Sequence, residues 1–296
     1  MEVVNPQTPA YPKPNTVLNA ARNAYYLSFP VVMGAVLSSR MAARLSDVTP
    51  VHWATPIVLA LAVFIIYTVD RLLDIQKPGR PPTNRHRFHH RYAPLLWCVV
   101  AGAMATGLLL TFFLPGSVVK FGLVLGGVCT AYIGAVFRLP ARHPALLLKE
   151  PLVGLLFSAG IWGSVWVQRP TVGGIEIAEA LLFVGIAFQN LILFDVMEKR
   201  ELPGAGQLNQ SAFSLATEWG DKRCDTILRW LTFGVGAGGL VLCFVTADRF
   251  AQRSALVLGL MSLTLYGIQR YPDYFLKHER YRWLGDGVFW LPALVL

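Results

Sequence analysis

The sequence predicts an all-α polytopic membrane protein, a helical bundle of about nine transmembrane helices in two four-helix halves plus one helix. Three observations predict it. Of 296 residues, 54% are hydrophobic and 15% charged, with a mean hydropathy of +0.49, whereas a soluble domain carries about 25% charged residues. The apolar residues come in blocks of about 20, the length that crosses a bilayer as a helix. The short segments between the blocks hold nearly all the charge, and Lys and Arg concentrate on alternate segments.

The blocks read as spans near 24–39, 51–69, 93–114, 118–137, 151–168, 178–197, 226–246, 254–271 and 283–296. Pro30 interrupts the first, and the last is short for a crossing. Helices are the expected spanning element, because a barrel strand would be about ten alternating residues. Residues 1–23 form a polar tail with Pro6, Pro9, Pro12 and Pro14 and no apolar run after a basic start, unlike a cleaved signal. Residues 24–296 then form a single transmembrane domain.

With the N-terminus inside, the outer Lys and Arg residues are Arg40, Arg44, Lys120, Arg169, Arg249 and Arg253. Arg229 lies near a span end, and the rest of the 26 fall inside. This bias sets a cytoplasmic N-terminus in a cell membrane, or an inner membrane if the source is bacterial. It also makes the formal charge of +9 a matter of topology and site chemistry, with membrane lipids as partners and no nucleic acid. Cys98, Cys129 and Cys243 fall within spans and read as buried apolar cysteines, with Cys224 in a loop and no CxxC pair. The longest cytoplasmic segments are 70–92, 138–150, 198–225 and 272–282, so the polar residues are invested on the inner face.

Asp70 and Asp74 end the second span at i and i+4, which puts both carboxylates on one helix face. So placed they can share a hard cation such as Mg²⁺, or they simply mark the interface, where charge is cheap. Asp195, Glu198 and Glu201 end the sixth span on a shared face. Lys199 and Arg200 intervene, so a salt-bridged helix end is the competing reading. Asp195 is the stronger site residue, following Asn190 and the apolar run 191–194. Asp70 and Asp195 thus echo each other four helices apart, which suggests the two halves.

The loop after Asp74 reads Asn84-Arg85-His86-Arg87-Phe88-His89-His90-Arg91. Arginine forks match phosphate oxygens and histidines add donors, while lipid head groups are the alternative target. The histidine spacing is not a standard zinc pattern. Arg138, Arg142, Lys149 and Glu150 close the next inner segment, where Lys149 either reaches a diphosphate or serves topology. Aromatics including Phe64, Tyr67, Phe157, Trp162 and Phe188 lie on spans two, five and six. Most belong to the core or the lipid face, and a few can stabilise a cation through their π faces.

Taken together, these residues resemble the UbiA superfamily of intramembrane prenyltransferases over nearly the whole chain. The likeness rests on nine spans, the acidic motifs at the ends of spans two and six, and the run from Arg138-Leu139-Pro140 to Lys149-Glu150-Pro151-Leu152-Val153-Gly154-Leu155. The family's first motif commonly reads N-D-x-x-D-x-x-x-D. Its last two acids match Asp70 and Asp74, while Ile66 and Tyr67 stand at its first two positions. The usual second D-x-x-x-D becomes Asp195 followed by Lys199.

The resemblance implies a Mg²⁺-dependent transferase that moves an isoprenoid group from a prenyl diphosphate to a lipophilic acceptor, aromatic or otherwise. It assigns metal binding to Asp70, Asp74, Asp195 and Glu198, and diphosphate binding to Arg71, Arg85, His86, His89, Lys149 and Asn190. Asp70, Asp74, Asp195, Arg71 and Tyr67 form the catalytic set. A terpene cyclase of the same type, needing no acceptor, is one alternative. A transporter or lipid-binding membrane protein is another.

Overall fold

Ser28 adopts the left-handed conformation (φ 60°), and Pro30 falls in the first turn of the helix that follows, α1 (Phe29–Leu45). Proline is tolerated there because its missing N–H has no helical partner to lose. Pro30 therefore begins the first long helix instead of interrupting it. The structure, a computed structural model, describes residues 23–76, 84–140, 143–201 and 214–296. The tail through residue 22, Arg142, and parts of the 70–92 and 198–225 segments lie outside the described residues.

The order continues with α2 (Ala54–Asp74), α3 (Asn84–Thr111), α4 (Gly116–Arg138), a 3-10 turn at Pro144–Leu148 that runs into α5 (Lys149–Trp166), and α6 (Gly174–Glu201). Then come α7 (Leu215–Val245), α8 (Arg249–Arg270), the short α9 (Pro272–Leu276), α10 (Arg280–Gly287) and a closing 3-10 stretch, Val288–Val295. No strand occurs among the described residues. The chain is thus an all-α polytopic protein.

Six helical stretches are long and apolar enough to cross a membrane: Ala54–Asp74, Arg85–Thr111, Gly116–Arg138, Pro144–Trp166, Gly174–Glu201 and Leu215–Val245. The other three expected spans correspond to α1, with 17 residues, α8, and the C-terminal segment. In that segment eight α-helical residues are followed by eight in 3-10 form. At the rises of the two helix types they reach roughly 28 Å, close to the thickness of a hydrocarbon core.

Two segments read as loops are helical. The Arg- and His-rich stretch from Asn84 forms the first turns of α3, because nothing in it breaks a helix before Pro94. Cys224 lies buried in α7, which begins ten residues or so before the expected span. That early start bends at Gly220, whose φ of +74° only glycine adopts without strain. Of the three cysteines expected to be buried, Cys129 is, Cys243 is half-buried and Cys98 is exposed on the outer surface.

Helix α6 is the centre of the bundle. Half of its apolar window is buried within the protein, against 11% for α3 and α4. Phe183, Ile186, Ile192, Leu193 and Met197 of α6 belong to the core, together with Trp162 of α5 and Leu258 and Met261 of α8. Consecutive helices pack on one another from α4 through α8. The C-terminal stretch then lies against both α8 and α1, and α1 touches α2 and, across the bundle, α5.

In lipid, where tails are as apolar as leucine, hydrogen bonds and close packing hold helices together. Gln189 of α6 meets Thr232 of α7 at 2.9 Å and accepts from Ser262 Oγ of α8 at 2.6 Å. Trp290 Nε1 donates to Pro30 O at 2.7 Å, fastening the C-terminal stretch to the start of α1. Leu108, Leu109, Phe112 and Phe113 of the α3 end and Leu123 and Val124 of α4 stay exposed, an apolar surface suited to acyl chains.

Candidate functional site

The last turns of α2 and α6 and the first turns of α3, α5 and α10 gather at one end of the bundle. There α2 presents Tyr67, Asp70, Arg71 and Asp74, and α3 presents Arg85, His86 and His89. Lys149 and Glu150 come from α5, Asn190, Asp195, Glu198 and Glu201 from α6, and Arg282 and Asp286 from α10. The antiparallel order of the bundle produces this gathering, since α2 and α6 end where α3, α5 and α10 begin.

The acids form two neighbouring groups. Asp195 and Glu150 are close neighbours, and each keeps one buried carboxylate oxygen, Oδ2 and Oε2, without a hydrogen-bond partner. Two carboxyls in contact need a shared proton or a cation between them. Lys149 acts on the same pair. Tyr132 of α4, whose hydroxyl is buried without a partner, lies within the charge field of Lys149, Asp70, Glu150 and Asp74. Tyr132 thus neighbours both the α2 acids and Glu150 of α5.

Glu198 takes part in an ion network with two arginines. It binds Arg282 Nη1 at 2.8 Å and lies 4.0 Å from Arg85 Nη2. Arg282 also approaches Glu279 at 3.7 Å and Glu201 at 3.9 Å, and Glu201 accepts from the Tyr281 hydroxyl at 2.9 Å. Lys199 pairs with Asp221 at 2.7 Å.

Of the expected metal ligands, Asp70 and Asp74 act on Tyr132, Asp195 neighbours Glu150, and Glu198 meets Arg282 and Arg85. Among the described residues, no three His, Cys, Asp or Glu side chains converge as a metal site. The orphaned oxygens of Asp195 and Glu150 are the feature that fits a cation, and Glu150 rather than Glu198 is the partner of Asp195.

The basic residues converge as well. Arg71 and Arg85 act on each other and on Tyr25, His89 and Asp286. Arg71 Nε donates to Ser28 Oγ at 3.3 Å, and its guanidinium lies 5.9 Å from the Tyr67 ring centre. The left-handed turn at Ser28 is what delivers that hydroxyl. His89 is buried, with Nδ1 2.9 Å from its own helix at Arg85 O and Nε2 without a partner. His86 lies one helical turn earlier on the same helix.

Asn190 precedes Asp195 on α6 by more than a turn. It lines a narrow crevice with Val31, Tyr67, Val153, Phe157, Asp286 and Phe289. A methyl at Gly285 would overlap the Phe194 ring and come 2.9 Å from Asn190 Oδ1, so glycine is what lets α10 close onto α6 here.

Sequence reasoning missed Tyr25, Ser28, Tyr132, Glu150, Arg282 and Asp286. Asp286 carried a usable signal, an acid within an expected span. No family model matches the chain, and no characterised protein or solved structure matches it either.

Proposed function

We propose that this protein is an integral membrane prenyltransferase of the UbiA kind, crossing the membrane nine times with its N-terminus in the cytoplasm. It would transfer an isoprenoid group from a prenyl diphosphate to a lipophilic acceptor. The observation that carries this reading is the convergence, at one end of an apolar bundle, of the acids of α2, α5 and α6 with Arg71, Arg85 and Lys149. Diphosphate chemistry needs both charge types, cations for the leaving group and carboxylates for the metal that bridges it.

Asp70, Asp74, Asp195 and Glu150 are the residues that would hold Mg²⁺, which would neutralise charge as the C–O bond breaks. Arg71 and Arg85 offer forked donors to the diphosphate oxygens and Lys149 a point charge. Bond cleavage leaves an electron pair on the diphosphate and an allylic cation on the prenyl group. Tyr67, Phe157 and Phe289 line the adjoining crevice and present π faces to such a cation. The apolar walls exclude water that would otherwise quench it. A cyclase would form products from the diphosphate alone, so product analysis with and without acceptor separates the two reactions.

The test is substitution of Asp70 in purified enzyme supplied with a prenyl diphosphate. Asp70→Asn is expected to lower pyrophosphate release about 100-fold or more, the usual scale for losing an electrostatic catalyst. Full retained activity would remove Asp70 from the site.

One observation favours a second reading, a proton-coupled transporter. Glu179 is fully buried near the other end of α6, with Oε1 accepting from Ser254 at 2.7 Å and Oε2 unpartnered. That reading predicts pH-linked flux in liposomes and no diphosphate cleavage.

A further inference from the structure

A groove between α6 and α7 takes no part in the chemistry above. Leu181 and Leu182 of α6 and Ile227, Trp230 and Gly234 of α7 help to line it around about 380 Å³ of space. Gly234 keeps it open, since a methyl built there would meet nothing within 4 Å. Trp230 and Leu181 are both largely exposed.

Arg223, Ile227, Trp230 and Gly234 recur at i, i+4, i+7 and i+11, the spacing of one helix face. Arg223 thus heads the same stripe whose apolar members line the groove. From Arg223 to Gly234 the helix rises about 16 Å, and half of a ~30 Å hydrocarbon core is about 15 Å. The stripe therefore runs the depth of one leaflet. Its charged end lies at the end of the bundle that holds the acids and arginines, because Asp221 meets Lys199 of α6 there.

Charge at that end is unbalanced. Asp221 is taken by Lys199 at 2.7 Å, and Asp225 by Arg229 at 2.7 Å and by Gln269 of α8 at 2.6 Å. Glu218 lies beyond the bend at Gly220. Lys222 and Arg223 are exposed and form no salt bridge with an acid among the described residues. The segment 202–213, which leads into α7, contains no Asp or Glu to supply one.

An apolar slot one leaflet deep beneath two unpaired cations fits a long hydrocarbon chain with an anionic head. A zwitterionic lipid fills the slot but brings no net countercharge, and a soluble anion leaves the slot empty. A second copy docked by a two-fold axis would set the same cations against their own kind. We propose that this groove binds an anionic phospholipid, with one acyl chain along Ile227, Trp230 and Gly234 and the phosphate on Lys222 and Arg223. The site does not depend on the reaction assigned above.

Trp230 reports on its own occupancy, because bromine on an acyl chain quenches tryptophan on contact. The protein is reconstituted in dioleoylphosphatidylcholine vesicles holding a fixed minor fraction of brominated lipid, either phosphatidylglycerol or phosphatidylcholine. The Trp230 signal is the difference from Trp230→Phe. Phosphatidylglycerol should be favoured at least about fivefold, the scale of one basic residue at an anionic surface. Joint Lys222→Gln and Arg223→Gln substitution should bring the preference below about twofold. Gly234→Leu, which fills open space, should lower quenching by phosphatidylglycerol to the level of phosphatidylcholine. Equal quenching by the two lipids in the unmodified protein overturns the proposal, as does a preference that survives either variant. Resistance of Trp230 to both lipids, with a dimer seen by light scattering in detergent, overturns it in favour of a second copy.

Discussion

Arg282 is the cation at the centre of the ion network that ends α6. Its guanidinium, almost wholly enclosed, ties Glu198 and Glu201 of α6 to the start of α10. Removing one side of such a pair leaves buried charge uncompensated. Arg282→Gln is therefore expected to destabilise the protein by about 2–3 kcal/mol, read by thermal unfolding in detergent. Glu198→Gln should cost less, because Glu198 is the more exposed partner, and should leave the Mg²⁺ concentration needed for half-maximal activity unchanged. A large rise in that concentration would return Glu198 to the metal site. Glu150→Gln is the contrasting variant: it removes the buried acid beside Asp195 and should raise the Mg²⁺ requirement several-fold.

At the scale of elements, helix ends decide what the site contains. Gly285 is the contact point between α10 and α6, and Asp286 follows it directly. Gly285→Ala should cost about 1–3 kcal/mol of stability through overpacking against Phe194, visible as a lowered unfolding temperature. The acids of α2 and α6 were readable from sequence because acids three or four residues apart after an apolar run are a local signal. Arg282 and Asp286 were not, because their importance comes from α10 packing on α6 and α1, a contact between distant parts of the chain. Glu150 looked like an ordinary acid at a helix start, favoured there by the helix dipole. The Arg85–Arg91 stretch looked like a loop because charge was taken to end the span, whereas α3 simply extends beyond its apolar part.

For the molecule as a whole, hydropathy blocks located every long helix, since backbone groups in lipid must be satisfied within the segment. Blocks could not separate the enclosed α6 from the exposed α3 and α4, which are equally apolar. The proposed orientation follows from charge bias and is open to direct measurement. In a background where Cys98, Cys129, Cys224 and Cys243 are replaced by serine, a cysteine at Lys277 should react with an impermeant maleimide only from the cytoplasmic side. A cysteine at Arg253 should react only from the opposite side, and the reverse pattern would invert the topology.

The central claim is that acids and arginines at one end of the bundle cleave a prenyl diphosphate. Its most direct measurement is pyrophosphate release by the purified protein from a series of prenyl diphosphates, with Mg²⁺ and with a chelator. The account predicts release with Mg²⁺ for at least one chain length, abolished by the chelator and by Asp70→Asn. No release from any chain length by well-folded protein, with Mg²⁺ and a lipid extract supplying acceptors, would contradict it.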